Sequence, residues 1–357
     1  MLRPCLLAFL ALIPPAAISR TKPTGPDVAA MVESSLESAT DQVRQLAFDG
    51  DPQTHFTSKG DPKRTDHFTL TLDAATPLKS ITVTTGRPDG SDALEAGLLE
   101  ISEDGKAFEE AGKFAEGTIQ FDAKGRPIRS IRVRAAADLT HPLVLREIAI
   151  DSDPPIALFR YPVEFVVDVA DAPEMKAWAD DVARLCERWY PRLNDELKTE
   201  GYKPARVITM TLKDDYKGVA AASGSRITGS VKFFRDHPED RGAMIHETVH
   251  VVQRYRGRRN PGWLVEGVAD YVRFFVFEPG KVGPVNPARA RYDASYRTTA
   301  AFLAYVAEKF DREIVLKLNK AMREGTYQEA LFKEITGKTV QELGEEWRAS
   351  LRHDKSS

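Results

Sequence analysis

The chain has 357 residues, 50 basic against 53 acidic side chains and a formal net charge of −3. Such a length exceeds one average domain, so two are expected. The near balance of charge gives no global basic field and argues against nucleic acid as a partner.

Residues 1–19 read as an export signal: Arg3, then the apolar run Leu6 to Ile13, then the small-residue cleavage site Ala17-Ile18-Ser19. About ten apolar residues are too few to span a bilayer. No other stretch is long enough, so no transmembrane segment is expected and the mature chain is expected to be secreted or periplasmic. Of the two cysteines, Cys5 leaves with the signal, and Cys186 lies on the apolar side of a helix as a core thiol. Residues 20–29 read as a Pro/Gly-rich linker. Val28, Met31, Val32 and Leu36 are spaced for a short helix at the start of 28–47.

From Ala47 the text turns to strands. Phe68–Leu72, Ser80–Thr84, Leu98–Ser102, Thr118–Phe121, Ser130–Arg134 and Leu143–Ile150 alternate with a period of two. Asp89-Gly90, Asp104-Gly105 and Lys124-Gly125 supply turns between them. Many short strands with regular turns predict a β-sandwich over 30–151. Asp151-Ser-Asp-Pro-Pro155 reads as an exposed connection, with the linker at 152–156.

Phe48-Asp-Gly-Asp-Pro-Gln-Thr54, Ile101-Ser-Glu-Asp-Gly-Lys-Ala-Phe108, Ile131-Arg-Val-Arg134 and Leu145-Arg-Glu-Ile148 carry a resemblance to the discoidin-like family, the coagulation-factor 5/8 C-type and galactose-binding-like sandwiches. The resemblance implies attachment to a glycan or cell-surface polymer. It also implies a structural Ca²⁺ held at Asp49, Asp51, Thr54 and Glu147; a tight Asp-rich turn without metal accounts for the same loop residues. His55-Phe56 stands where the family usually has Trp, a departure at the sugar site.

Residues 157–352 change style, and 353–357 form a tail. Val163–Asp168 and Arg206–Leu212 read as strands. Residues 173–200 form a long amphipathic helix that Pro191 is expected to kink. Gly218–Gly224 is a small-residue stretch. Arg226–Phe234 reads as a further strand, placed to pair with an extended substrate, and everything after residue 260 reads as helical.

His246-Glu247-Thr248-Val249-His250 sets two imidazoles at i and i+4, on one face of a helix. Two histidines and a carboxylate with an open fourth position make a catalytic Zn²⁺ ligand set, and Glu247 sits where it can hold a water. Pro261-Gly262 provides a turn before the next helix, and Glu266 is the natural third ligand if this short connection folds that helix back. Asp270, one turn further, is placed to accept the free N–H of a liganding histidine. His55, His67, His141, His237 and His353 have no partner at metal spacing. Arg254, Arg256, Arg258 and Arg259 read as solvated loop charges, with recognition of an acidic substrate or polymer as the minor alternative.

Ile245–Gln253, Gly262-Trp-Leu-Val-Glu-Gly-Val-Ala-Asp-Tyr-Val-Arg273 and Ser295–Tyr305 carry a resemblance to the basic secretory protein family, zinc peptidases of the gluzincin type. The chain's slight acidity and its front sandwich depart from that pattern. The resemblance implies an α+β zincin-like domain and peptide-bond hydrolysis, with Glu247 as general base on a zinc-bound water. Tyr296 is the candidate to stabilise the oxyanion, or else a helix-start tyrosine packed on the core; Tyr292 is a second candidate. The expected architecture is therefore multidomain, an all-β discoidin-like sandwich followed by a zincin-like domain acting on protein or peptide. The rival reading is a non-catalytic glycan- or surface-binding protein whose zincin domain is structural or inactive. The presence of Glu247 favours the enzyme.

Overall fold

The computed structural model describes residues 29–255 and 259–353. The expected export signal, most of the first linker, and Arg256 and Arg258 lie outside them.

Where a helix was expected near residue 30, the chain forms strand β1 (Ala30–Ser34) and then a 3-10 turn over Arg44–Phe48. The reason is non-local. β1 pairs antiparallel along Phe68–Leu72, and Val32 is its one buried side chain. The remaining sandwich strands are β2 (Phe56–Thr57), β3 (Phe68–Thr85), β4 (Gly97–Ser102), β5 (Glu109–Lys113), β6 (Thr118–Ala135) and β7 (Val144–Ser152). Two of them fuse segments that read as separate strands. β3 and β6 each run 18 residues and pair with one another, and their register shifts between Thr71 and Thr76 and between Leu78 and Ser80. Such irregularities let a strand leave one sheet and enter the next. The first half of β3 lies between β1 and β6, and the second half between β6 and β7. Phe56, Phe68, Leu70, Ile81, Leu99 and Ile131 fill the space between the layers. β7 runs through Ser152, and Ile156, the last residue of the expected linker, packs with Phe159 into this same core.

The second half is built on β8 (Glu164–Asp168), β9 (Val207–Lys213), β10 (Ala220–Ser223) and β11 (Arg226–Ser230), in the order β10-β11-β9-β8. β8, β9 and β11 are parallel, and β10 is antiparallel at the edge. A parallel pair needs a crossover, and α1 (Lys176–Glu196) supplies it between β8 and β9. The helix continues through Pro191 rather than ending there. The strand expected over Arg226–Phe234 stops at Ser230. There the Ser230 hydroxyl accepts from the Phe233 N–H and opens α2 (Val231–Asp236). β11 has a neighbour on each side, so it has no free edge for a substrate strand; β10 does. Helices α3 (Gly242–Gln253), α4 (Gly262–Tyr271), α5 (Tyr296–Lys309), α6 (Ile314–Glu324), α7 (Leu331–Thr336) and α8 (Val340–His353) complete the domain. A non-helical stretch from Glu278 to Ser295 interrupts what read as continuous helix. No helix among the described residues is long and apolar enough to cross a membrane.

Candidate metal centre

α3 is buried along almost its whole length, because Met244, Ile245, Val249 and Val252 pack into the second core. It can approach the sheet closely because β11 carries Gly229, where an added Cβ would stand 2.5 Å from the Met244 methyl. The helix ends at Arg254, whose left-handed backbone (φ 43°) lets its N–H reach the His250 carbonyl. Pro261, in an extended conformation, starts α4 back across α3. α4 passes directly into a π-helical stretch, Val272–Phe277.

This reversal brings three ligating atoms together. His246 Nε2 lies 3.0 Å from His250 Nε2, and the Glu266 Oε2 lies 3.2 Å from the first and 3.3 Å from the second. Donors about 2.1 Å from a tetrahedral ion stand roughly 3.4 Å from one another, so the trio has the spacing of a coordination face. Among the described residues it is the one group of histidine, cysteine or acidic side chains that converges in this way. Each ring is held from behind. His246 Nδ1 donates to Asp270 Oδ1 at 2.7 Å, and His250 Nδ1 donates to Gln253 Oε1, also at 2.7 Å. The Gln253 amide then donates to the Val265 carbonyl on α4 at 2.9 Å. Both rings thus turn Nε2 toward the common point. Gln253 was not singled out from the sequence, although its place three residues after His250 on one helix face is a signal for it.

Burial penalises a charged His246, but the hydrogen bonds that its ring donates to Asp270 and Glu266 outweigh it and raise the ring to about 9. Glu266 is pushed up by burial and pulled further down by the two imidazoles, to about 2. His246 and Glu266 thus both favour their charged forms and pair with each other at 3.2 Å. Glu247, with 7% of its surface exposed, is raised chiefly by burial, and the two histidines oppose the rise. It also accepts a hydrogen bond from the Ala222 N–H of edge strand β10.

These groups line an open cleft of about 1130 Å³ between β10, α3, α4 and the segment Ala294–Thr298. Tyr296 projects into it, 55% exposed, with its ring stacked on that of His246 at 6.1 Å between centroids. Ser295 and Tyr296 both have positive φ, 64° and 48°, a strained entry to α5 that turns the tyrosine out of the core. The negative charge of Glu266, then burial, raises the pKa of its phenol. Tyr292 is not in the cleft. Its ring packs on Trp263 and Phe302, and its hydroxyl meets Gln341.

In the sandwich, Thr54 donates to Asp49, and the Asp51 N–H also donates to Asp49. Glu147 faces this loop with one buried carboxylate oxygen, Oε2, that has no hydrogen-bond partner. Burial first, and then the charge of Asp49, raise Glu147 to about 7.

An antiparallel sandwich followed by a mixed α/β domain with an H-E-x-x-H helix has the organisation of a secondary module joined to a peptidase. A family model described as peptidase of plants and bacteria, the BSP family, matches residues 164–347, and the chain belongs to that family. No curated protein matches it. The sandwich is similar to solved carbohydrate-binding modules. One is CBM32-1 from a family 31 glycoside hydrolase of Clostridium perfringens, at 16% identity and a TM-score of 0.31, covering 34% of this chain and 94% of that one. Another is the family 32 module of C. perfringens NanJ in complex with galactose, at 14% identity and a TM-score of 0.30, covering 34% and 92%. A third is the Streptococcus pneumoniae fucose-binding module SpX-3, at 16% identity and a TM-score of 0.30, covering 34% and 93%.

Proposed function

We propose that the chain is an exported zinc-dependent metallopeptidase. The observation that carries this is the convergence of His246, His250 and Glu266 beside a buried Glu247, in a cleft open along a strand edge. Two imidazole nitrogens and one carboxylate oxygen, with tautomers fixed by Asp270 and Gln253, suit Zn²⁺. Bound there, zinc supplies the Lewis acidity that brings a water's pKa to about 7 and polarises a peptide carbonyl. Glu247 takes the proton of the attacking water and returns it to the leaving amine, and its burial, which disfavours the charged form, favours its taking up that proton. The phenol of Tyr296 donates to the developing oxyanion. The backbone of the substrate pairs with β10, the free edge of the sheet, in place of the interior β11. In the sandwich, Asp49, Asp51, Thr54 and Glu147 hold a structural Ca²⁺, to which the unpartnered Glu147 oxygen supplies the buried ligand.

Metal content and proteolysis test the reading together. The purified protein should carry one zinc and hydrolyse peptides in a chelator-sensitive way. Glu247→Gln should keep the zinc and lose hydrolysis, because an amide cannot accept the proton. A Glu247→Gln variant that cleaves peptides at near the parent rate would remove the base role.

A further inference from the structure

A second groove, of about 880 Å³, lies beyond the catalytic cleft and is continuous with it, because Gly224 and Arg254 line both. Gly224 follows Ser223, the last residue of β10, and Arg254 follows Gln253, the last of α3. Both rims of the cleft therefore run on into this groove. Its wall carries Arg160, Lys203, Arg206 and Arg254, against the single carboxylate of Asp41. Arg160 is paired with Asp195 at 2.6 Å, and the Arg254 guanidinium donates to the Lys203 carbonyl at 3.0 Å. Among the described residues, Lys203, Arg206 and Arg254 have no carboxylate within ion-pair distance, and all three are exposed.

This positive wall stands in a chain whose net charge is −3, next to a site holding Glu247, Glu266 and Asp270. We propose that it is a subsite for acidic side chains of the peptide substrate. A strand added to β10 that runs past the Gly224 turn delivers its next residues onto the wall. Carboxylates there meet three cations that hold no ion pair among the described residues, against the one carboxylate of Asp41, and clefts with an excess of one sign concentrate oppositely charged ligands. This inference rests on the peptidase reading, and it assigns that cleft a substrate class.

The test uses the zinc-loaded full chain and paired fluorogenic peptides. They are identical except for a Glu or Gln block, placed on either side of the cleaved bond. The Glu peptide of one placement should be cut with a kcat/KM about tenfold higher at low salt, the low end of electrostatic focusing. The preference should shrink as ionic strength rises. Lys203→Glu combined with Arg206→Glu should reverse it. The milder pair Lys203→Ala and Arg206→Ala should reduce it, and serves if charge reversal prevents folding. A ratio near one in the parent protein, or an undiminished ratio in the alanine pair, overturns the proposal. So does an unchanged ratio accompanied by lost retention on a sulfated polysaccharide, which would assign the groove to an anionic glycan.

Binding of a fluorescein-labelled Glu-rich peptide to Glu247→Gln, read by anisotropy, separates the subsite from the chemistry. Binding that charge reversal abolishes, together with a parent protein that cleaves none of the paired peptides, keeps the subsite and removes the peptidase reading. Absence of binding removes the subsite.

Discussion

Gln253 stands to His250 as Asp270 stands to His246: each accepts the Nδ1 proton at 2.7 Å and so commits Nε2 to the metal point. Gln253 also ties α3 to α4 through the Val265 carbonyl, which links ring orientation to the helix reversal that delivers Glu266. Gln253→Ala should therefore lower zinc affinity roughly 10–100-fold, the range for partners of metal-bound histidines, and Asp270→Ala should do the same. Competition against a chromophoric chelator measures it. An affinity within twofold of the parent protein would show that the His250 ring is held by packing alone. At this scale much was legible in the sequence. The i, i+4 spacing put both histidines on one face, and the E-x-x-x-D repeat placed Glu266 and Asp270 on the next helix. The Ala222 N–H that reaches Glu247 was not legible, because a backbone group from a distant strand leaves no mark in the residues beside Glu247.

The loop Asp49–Thr54 and strand β7 form a second charged element, and its behaviour with pH has a definite sign. Glu147 has its folded pKa raised to about 7 from the usual value of 4.5, by burial and by Asp49. The folded state thus binds more protons than the unfolded state between those values. Its contribution is full below about 4.5 and is lost as pH rises through about 7. In chelator, the melting temperature should fall across that window. Added Ca²⁺ should restore it mainly above pH 7, where the carboxylates are charged and the cation satisfies them. A melting curve indifferent to Ca²⁺ at pH 8 would leave the loop as an Asp-rich turn. Element type was legible where periodicity was local, as in β4 and α1. It failed at β1, where one buried valine and pairing to a strand more than thirty residues away override a helical spacing. It also failed at Ser230, where a hydroxyl cap turns strand to helix within an apolar run. The fusion of four predicted strands into β3 and β6 depends on register shifts between partners, which no single segment encodes.

The two halves of the molecule meet through buried charge. Arg44, on the sandwich side, lies 3.4 Å from Glu164 and 3.7 Å from Glu187, and Arg184 lies 2.7 Å from Glu187. Ser38 donates to Glu164, Gln45 accepts from the Val163 N–H, and the rings of Phe48 and Phe159 meet edge to face. Burial raises Glu187 to about 7 while the two arginines pull it down, so it depends on a cation from each side of the joint. Glu187 adjoins Cys186 on α1, the helix packed against α3, and Cys186 contacts Thr248 of the H-E-x-x-H. The sandwich is thereby coupled to α3 through a short chain of contacts. Removing one partner of a buried charge group costs about 3 kcal/mol, because the other is left uncompensated. Arg44→Met should therefore destabilise the second domain by that amount, although the substitution lies in the first. All four tryptophans, Trp178, Trp189, Trp263 and Trp347, belong to the second domain, so their fluorescence in a urea titration reports on it alone. The expected result is a lower urea midpoint by tryptophan emission in Arg44→Met. An unchanged midpoint would mean that the second domain draws no stability from the sandwich. The exposed connection expected at Asp151–Pro155 would then behave as a true linker despite the burial of Ile156 and Phe159 just beyond it.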